Sequence, residues 1–212
     1  MKLMEAPSAE GEHESGGNIK GVAIGLVTQN KDPEGLCRVK VSYPWHDQPR
    51  ESYWARLAVP MAGSDRGMVL IPEVGDEVLI GFEREDVRFP YVLGSLWNGK
   101  DKPPVANTDG KNDKRLFKSR KGHQLLFDDG ARGVVELALS DGKKIRFDDD
   151  GVNIEDGKGN RFTIDSASGA VTVEASGKLT IKAASISIEA SASMGIKAGA
   201  VMTVSGSLIK LN

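Results

Sequence analysis

The sequence predicts an all-β protein in two parts, a small five-stranded barrel followed by a long array of short β-repeats. Three observations point there. The large rigid side chains are segregated: all nine prolines (Pro7 to Pro104), all three tryptophans (Trp45, Trp54, Trp97) and all three tyrosines (Tyr43, Tyr53, Tyr91) lie in the first half. Strand-like alternation recurs between Ile19 and Leu96 with no helical period. Beyond residue 120, pairs of apolar residues separated by a single residue return again and again.

In the first half, Val22, Ile24 and Leu26 alternate, as do Val39 and Val41. Leu57–Val59, Val78–Phe82 and Tyr91–Leu93 supply three more strands. The separators Asp32–Gly35, Pro44–Pro49, Pro60–Gly67 and Pro72–Asp76 carry Pro, Gly and Asp, the residues that favour turns. Five strands in so short a stretch suit an OB-type barrel. The expected organisation is a flexible segment over 1–18, an OB-fold domain over 19–97, a linker over 98–114 that contains Pro103-Pro104, and a repetitive β-helical needle over 115–212.

The apolar pairs are Leu125/Phe127, Leu137/Leu139, Ile145/Phe147, Val152/Ile154, Phe162/Ile164 and Val171/Val173. They continue as Leu179/Ile181, Ile186/Ile188, Met194/Ile196, Met202/Val204 and Ile209/Leu211. Asp-Gly turns punctuate the early pairs, at Asp129-Gly130, Asp141-Gly142, Asp150-Gly151 and Asp156-Gly157. Later pairs are followed by a small residue, as at Ala175, Ala183, Ala190, Ala198 and Gly206. From Val171 onward there is neither an aromatic residue nor a proline, and 18 of the 42 residues are Ala, Ser or Gly.

Such a ribbon does not stand alone. Each unit turns two apolar side chains to one face, and burying two side chains falls short of the conformational entropy lost in ordering the whole unit. Its unpaired edges would also recruit other chains. Two arrangements solve both problems: three copies intertwined as a triangular prism, or one chain coiled on itself. The trimer is favoured, because the units are short, carry no long loops and place only small residues at the corners. The expected trimer core is Val171, Val173, Leu179, Ile181, Ile186, Ile188, Met194, Ile196, Met202 and Val204.

Several motifs of the first half, in order and spacing, resemble the central-spike family of contractile tails. They are Gly35 with Arg38–Val41, Trp54-Ala55-Arg56, Ala62-Gly63 through Gly67, Pro72–Val78 and Pro90–Leu96. That family includes phage baseplate assembly protein V and the VgrG-like spikes of type VI secretion and extracellular contractile injection systems. The resemblance covers about residues 19–105, and the repeats are similar to the family's needle. It implies a homotrimeric, non-enzymatic, membrane-piercing spike at the baseplate centre that transmits sheath-contraction force to the target envelope. Such a spike would be assembled in the bacterial cytoplasm and act, in a virion or injection particle, at the target cell surface. Only 18 residues precede the barrel, where VgrG-type members carry a large hub. Separate hub and baseplate proteins are therefore expected at the OB end, unless a hub precedes this stretch. The linker is too short to hold the lysozyme domain of some members. A PAAR-type tip protein is expected on the apolar C-terminal facet of Leu208, Ile209, Leu211 and Asn212.

Other chemistries find little support. A net charge of −2, and −5 over residues 1–110, disfavours nucleic acid, although OB folds with exposed aromatics such as Tyr43, Trp45, Tyr53 and Trp54 can bind single strands. His13, His46 and His123 are too scattered to form a metal site, and the runs Asp128-Asp129 and Asp148–Asp150 lack calcium-loop spacing. No cofactor is expected. Cys37 is the only cysteine, so no disulfide forms within the chain. The basic run Lys111, Lys114, Arg115, Lys118, Arg120 and Lys121 reads as a solvated collar or a docking surface. The alternative functions are a β-helical tailspike that degrades glycans and a nucleic-acid-binding OB protein.

Overall fold

The computed structural model describes residues 19–46 and 50–210, so the segment expected over 1–18 lies outside the described residues. Among the described residues there is no α-helix, and the chain divides between Asn112 and Asp113 into two compact units.

The first unit holds β1 (Val22–Gln29), β2 (Lys40–Ser42), β3 (Arg56–Leu57), β4 (Ala62–Gly63), β5 (Arg66–Gly67), β6 (Glu77–Phe82) and β7 (Pro90–Ser95). Its main sheet has the order β2-β1-β6-β7-β3. All neighbours are antiparallel except β7 and β3, which run parallel with Arg56 opposite Tyr91. Bridges between Val39 and Ala55 and between Ser42 and Glu51 join the segment before β3 back to β2 and close the barrel. The Val39 and Ala55 backbones exchange both hydrogen bonds, at 3.0 and 2.7 Å. A closed five-stranded barrel with one parallel pair is OB topology.

Its core is Val27, Val39, Val41, Tyr43, Ala55, Val78, Ile80 and Val92. The alternating Val22 and Ile24 face outward, and β1 instead turns Gly25 and Val27 inward. Gly25 has a steric reason: a Cβ there would stand 3.1 Å from Ile80 Cγ1 and 3.3 Å from Val41 Cβ, where three strands cross. Burial pushes the Tyr43 phenol up to about 12, and its ring packs 5.2 Å from that of Trp45 and 5.9 Å from that of Phe82.

The second unit is a meander: β8 (Lys114–Lys118), β9 (Gln124–Asp128), β10 (Val134–Ala138), β11 (Lys144–Asp148), β12 (Gly151–Glu155), β13 (Arg161–Asp165) and β14 (Val171–Glu174). These seven strands pair antiparallel in sequence order. The Asp-Gly pairs fall at the hairpins. Between β11 and β12 the turn is tightest, and a Cβ on Gly151 would come within 1.9 Å of the Ile164 carbonyl oxygen, so only glycine fits. After Glu174 the regime changes. Residues 175–210 hold no strand and, as far as they are described, no backbone–backbone hydrogen bond. The eleven apolar pairs of the sequence are thus not one uniform array. Those up to Val171/Val173, with the exception of Leu139, belong to strands paired within the chain, because polar turns of a few residues let each strand fold back on the last.

Candidate assembly faces

Alternate residues of a strand point to opposite faces of a sheet, so register sorts the side chains of β8–β14 into two sets. One row across the sheet reads Phe117, Leu125, Leu137, Ile145, Ile154, Phe162, Val173. The next reads Phe127, Val135, Phe147, Val152, Ile164, Val171, with Arg115 at its β8 end. One face is therefore apolar almost throughout, and most of its side chains are exposed in a single chain. Val135 partners Leu137 in these rows, whereas Leu139 sits in the hairpin with its N–H on the Lys143 carbonyl. The spacing had paired Leu137 with Leu139; the five-residue turn between β10 and β11 moves the register by two.

The opposite face carries Leu116 opposite Leu126 at its β8–β9 end and is largely polar from Glu136 onward. Across it Arg146 Nη1 meets Glu136 Oε2 at 3.4 Å, and Arg146 Nε donates to Asp148 at 2.6 Å. The Arg146 guanidinium holds the Asp148 carboxyl below its ordinary range. Lys144 pairs with Glu155 at 2.6 Å, Arg161 with Glu174 at 3.4 Å, and Thr163 Oγ1 donates to Asn153 Oδ1 at 3.0 Å.

Of the residues expected to form the trimer core, two lie on the apolar face and the rest follow it in the sequence. Val171 and Val173 are its last strand, and Leu179 through Val204 lie beyond it, every one exposed. Their exposure repeats with the sequence: the first members Leu179, Ile186, Met194, Met202 and Ile209 are 49–58% exposed, the second members Ile181, Ile188, Ile196 and Val204 68–74%. Each unit thus shields its first apolar residue a little and its second hardly at all. At the end of the chain Leu208 and Ile209 are exposed; Leu211 and Asn212 lie outside the described residues. The sequence reading confined the expected trimer core to residues from Val171 onward; nine of the eleven earlier apolar positions on the two rows stand among its spaced pairs, and two do not. Phe117 and Val135 belong to no spaced pair, and only cross-strand register reveals them.

In the OB domain the loop after β1 is built on Asp32, whose side chain is 2% exposed. Its carboxylate accepts from the backbone N–H groups of Glu34 and Leu36 and from Arg38 Nε and Nη2, both at 2.8 Å. The Arg38 guanidinium holds the carboxyl far below the usual range. Three of the four candidate aromatics make contacts within the domain, and Tyr53 is exposed. Tyr43 is buried, Arg38 and Lys40 lie over the Trp54 ring at 5.9 and 5.4 Å, and Trp45 Nε1 donates to the Ile24 carbonyl at 3.0 Å. The stretch Pro60–Gly67, read as a turn, contains the β4–β5 hairpin, and Met61, Met68, Val69 and Leu70 around it are exposed.

His46 packs against Trp45 with ring centroids 6.0 Å apart, and His13 lies outside the described residues. His123 is not merely solvated. It is half-buried, and its Nδ1 accepts the Ser140 N–H at 3.2 Å, tying two hairpins together. Asp128 and Asp148 cap their own turns, with Oδ1 accepting from Gly130 and from Asp150, each at 3.0 Å. Among the described residues no cluster of three or more His, Cys, Asp or Glu side chains could hold a metal ion. In the basic run, Lys114 approaches Asp128 at 3.8 Å and Arg115 meets Asp129 at 2.6 Å.

Comparison with known proteins agrees with the barrel. Residues 23–97 match the type VI secretion system/phage-baseplate injector OB domain. Over 135 residues the chain is 30% identical to the type VI secretion system spike protein VgrG2a of Pseudomonas aeruginosa, and over 133 residues 31% identical to spike protein VgrG3 of Vibrio cholerae. Over these residues the chain is similar to VgrG-type spike proteins. The two alignments take in 58% and 57% of this chain but only 16% and 13% of those relatives, so the chain spans a small part of their length. Since 58% of the chain is more than the first unit contains, the likeness reaches into the second. Another VgrG-like relative, 28% identical over 125 residues and matched over 53% of this chain and 11% of its own length, is the actin cross-linking toxin VgrG1 of Vibrio cholerae. Among the described residues no helix is long and apolar enough to cross a membrane.

Proposed function

We propose that this chain is a structural, non-enzymatic spike component of a contractile injection apparatus, built of three identical copies. In this reading residues 19–97 are the OB-fold domain, 98–114 a linker and 115–212 a β-helical needle whose prism core includes Val171, Val173, Leu179, Ile181, Ile186, Ile188, Met194, Ile196, Met202 and Val204. The OB domain contacts hub and baseplate proteins. The C-terminal facet of Leu208, Ile209, Leu211 and Asn212 receives a PAAR-type tip protein. The assembly, made in the cytoplasm, carries the force of sheath contraction to the target envelope and pierces it.

The observation that carries this reading is the apolar face of β8–β14 together with the apolar residues that follow it through Val204. Thirteen apolar side chains lie on one side of the sheet, and the exposed apolar residues from Leu179 to Val204 follow them in the sequence. Exposed apolar surface on this scale marks association. An assembly that buries it removes the sheet edges as well. The likeness of the barrel to injector OB domains and of the chain to VgrG spike proteins supplies the context of a spike.

Light scattering on the purified chain is the direct test. The expected mass is three times the 22.7 kDa of one chain. A folded sample at the mass of one copy would sink the reading. Charge at the tip, as in Ile209→Glu, is expected to leave that mass unchanged and to abolish retention of a PAAR-type protein.

A further inference from the structure

We propose that the copies first associate through the apolar face of the β8–β14 meander, and that residues 175–210 become ordered only on that base. The inference rests on the three-copy reading and adds to it an order of events and a surface.

The two segments differ in what they can do alone. Every strand of the meander is hydrogen-bonded within its own chain, so both apolar rows are held in place before any partner arrives. Residues 175–210 have no such support: among the described residues no backbone–backbone bond orders them, and all are exposed. A partner that met this segment first would have to pay for ordering both chains at once. A partner that met the meander would find a surface already formed.

The junction between the two is fixed. Asn160 Oδ1 accepts the Ser176 N–H at 2.9 Å and the Ser176 hydroxyl at 3.2 Å, the last in-chain tie before the repeat. It holds the start of the repeat against the meander, so that Leu179 joins Leu137, Ile145, Ile154, Phe162 and Val173 around an open hollow of about 660 Å³. The occupant of that hollow is a second copy of this chain. Its rim carries both signs, Lys143, Lys178 and Asp156 beside Lys144–Glu155 and Arg161–Glu174, two pairs already formed within the chain. Such a mixed rim is complementary to itself and gives no preference to a partner of one charge. The first unit of the repeat, already seated beside the hollow, then continues along the surface that the joined meanders provide.

Two double variants of the full chain test this by light scattering and hydrogen exchange. Ile186→Asp with Ile196→Asp is expected to keep the three-copy mass while residues 175–210 exchange freely. Leu137→Asp with Phe147→Asp is expected to fall to one copy, with meander amides still protected and residues 175–210 exchanging freely. The inference is overturned if the first pair gives single copies or if the second stays threefold. Should the second pair lose protection in the meander itself, Leu137→Ala with Phe147→Ala decides. That pair must dissociate at a protein concentration at least tenfold higher than Ile186→Ala with Ile196→Ala does, and equal midpoints overturn the inference. A wild-type chain found as a single copy would instead overturn the three-copy reading beneath it.

Discussion

Arg146 on β11 stands directly opposite Glu136 on β10, 3.4 Å from nitrogen to oxygen, on the more polar face of the meander. The Glu136 side chain is 13% exposed and that of Arg146 34%, so water screens the pair only in part. A double-mutant cycle with Glu136→Gln and Arg146→Met is expected to return a coupling of about 0.5–1 kcal/mol, read from urea unfolding. A coupling of zero would mean that the polar face contributes solubility alone.

Gly151 should tolerate no side chain. Gly151→Ala drives a methyl into the Ile164 carbonyl, at a φ of 140° that suits glycine. A loss of about 1–3 kcal/mol is expected, on the scale of other strained backbone positions. Gly177→Ala, with nothing within 4 Å of the new carbon, is the control and should leave the melting temperature unchanged.

Acid should uncouple the Asp32 loop. Its carboxyl is held below the unfolded value by the Arg38 guanidinium first and by backbone N–H groups of Glu34 and Arg38. A depressed carboxyl contributes stability that is fully present above the unfolded pKa of about 3.9 and is lost as pH falls towards the folded one. Asp32→Asn is therefore expected to cost roughly 3 kcal/mol at pH 7, leaving Arg38 without its partner. The gap to wild type should narrow steadily below about pH 4. A gap independent of pH would show that the loop depends on the shape of the side chain and not on its charge.

Two isoleucines of neighbouring strands should respond very differently. Ile80 is fully buried in the barrel, and Ile80→Ala is expected to cost about 2–5 kcal/mol. Ile24, on the outer face of β1, is exposed, and Ile24→Ala should cost well under half as much in the same denaturant titration.

Much of this could be read from residue order. The barrel strands lie within a few residues of their alternating runs, since Val39/Val41 and Val78/Ile80 are inward pairs set by the pleat. The loops follow from their Pro, Gly and Asp residues. What could not be read was which side of β1 faces in: Val22, Ile24 and Leu26 are the more apolar set, yet close strand crossing demands Gly25 beneath Ile80 and Val41. In the second unit, periodicity found the apolar pairs but not their partners. Whether consecutive units pair with each other or with another chain depends on turn length. The tight hairpins up to residue 170 and the Ala/Ser-rich connections after it look alike to a count of spacings. The hydrogen-bonding role of His123 was hidden for a similar reason, because Ser140 lies one hairpin away.

The two-sidedness of the meander limits how such a protein can change its length. A single residue inserted into any of β9–β13 would turn every side chain beyond it to the other face, placing Arg146 or Glu155 among the phenylalanines. One extra strand would send the chain back the way it came. Only whole hairpins, two strands with their turns, can be gained or lost without disturbing the rest, so related proteins of different reach should differ in steps of that unit.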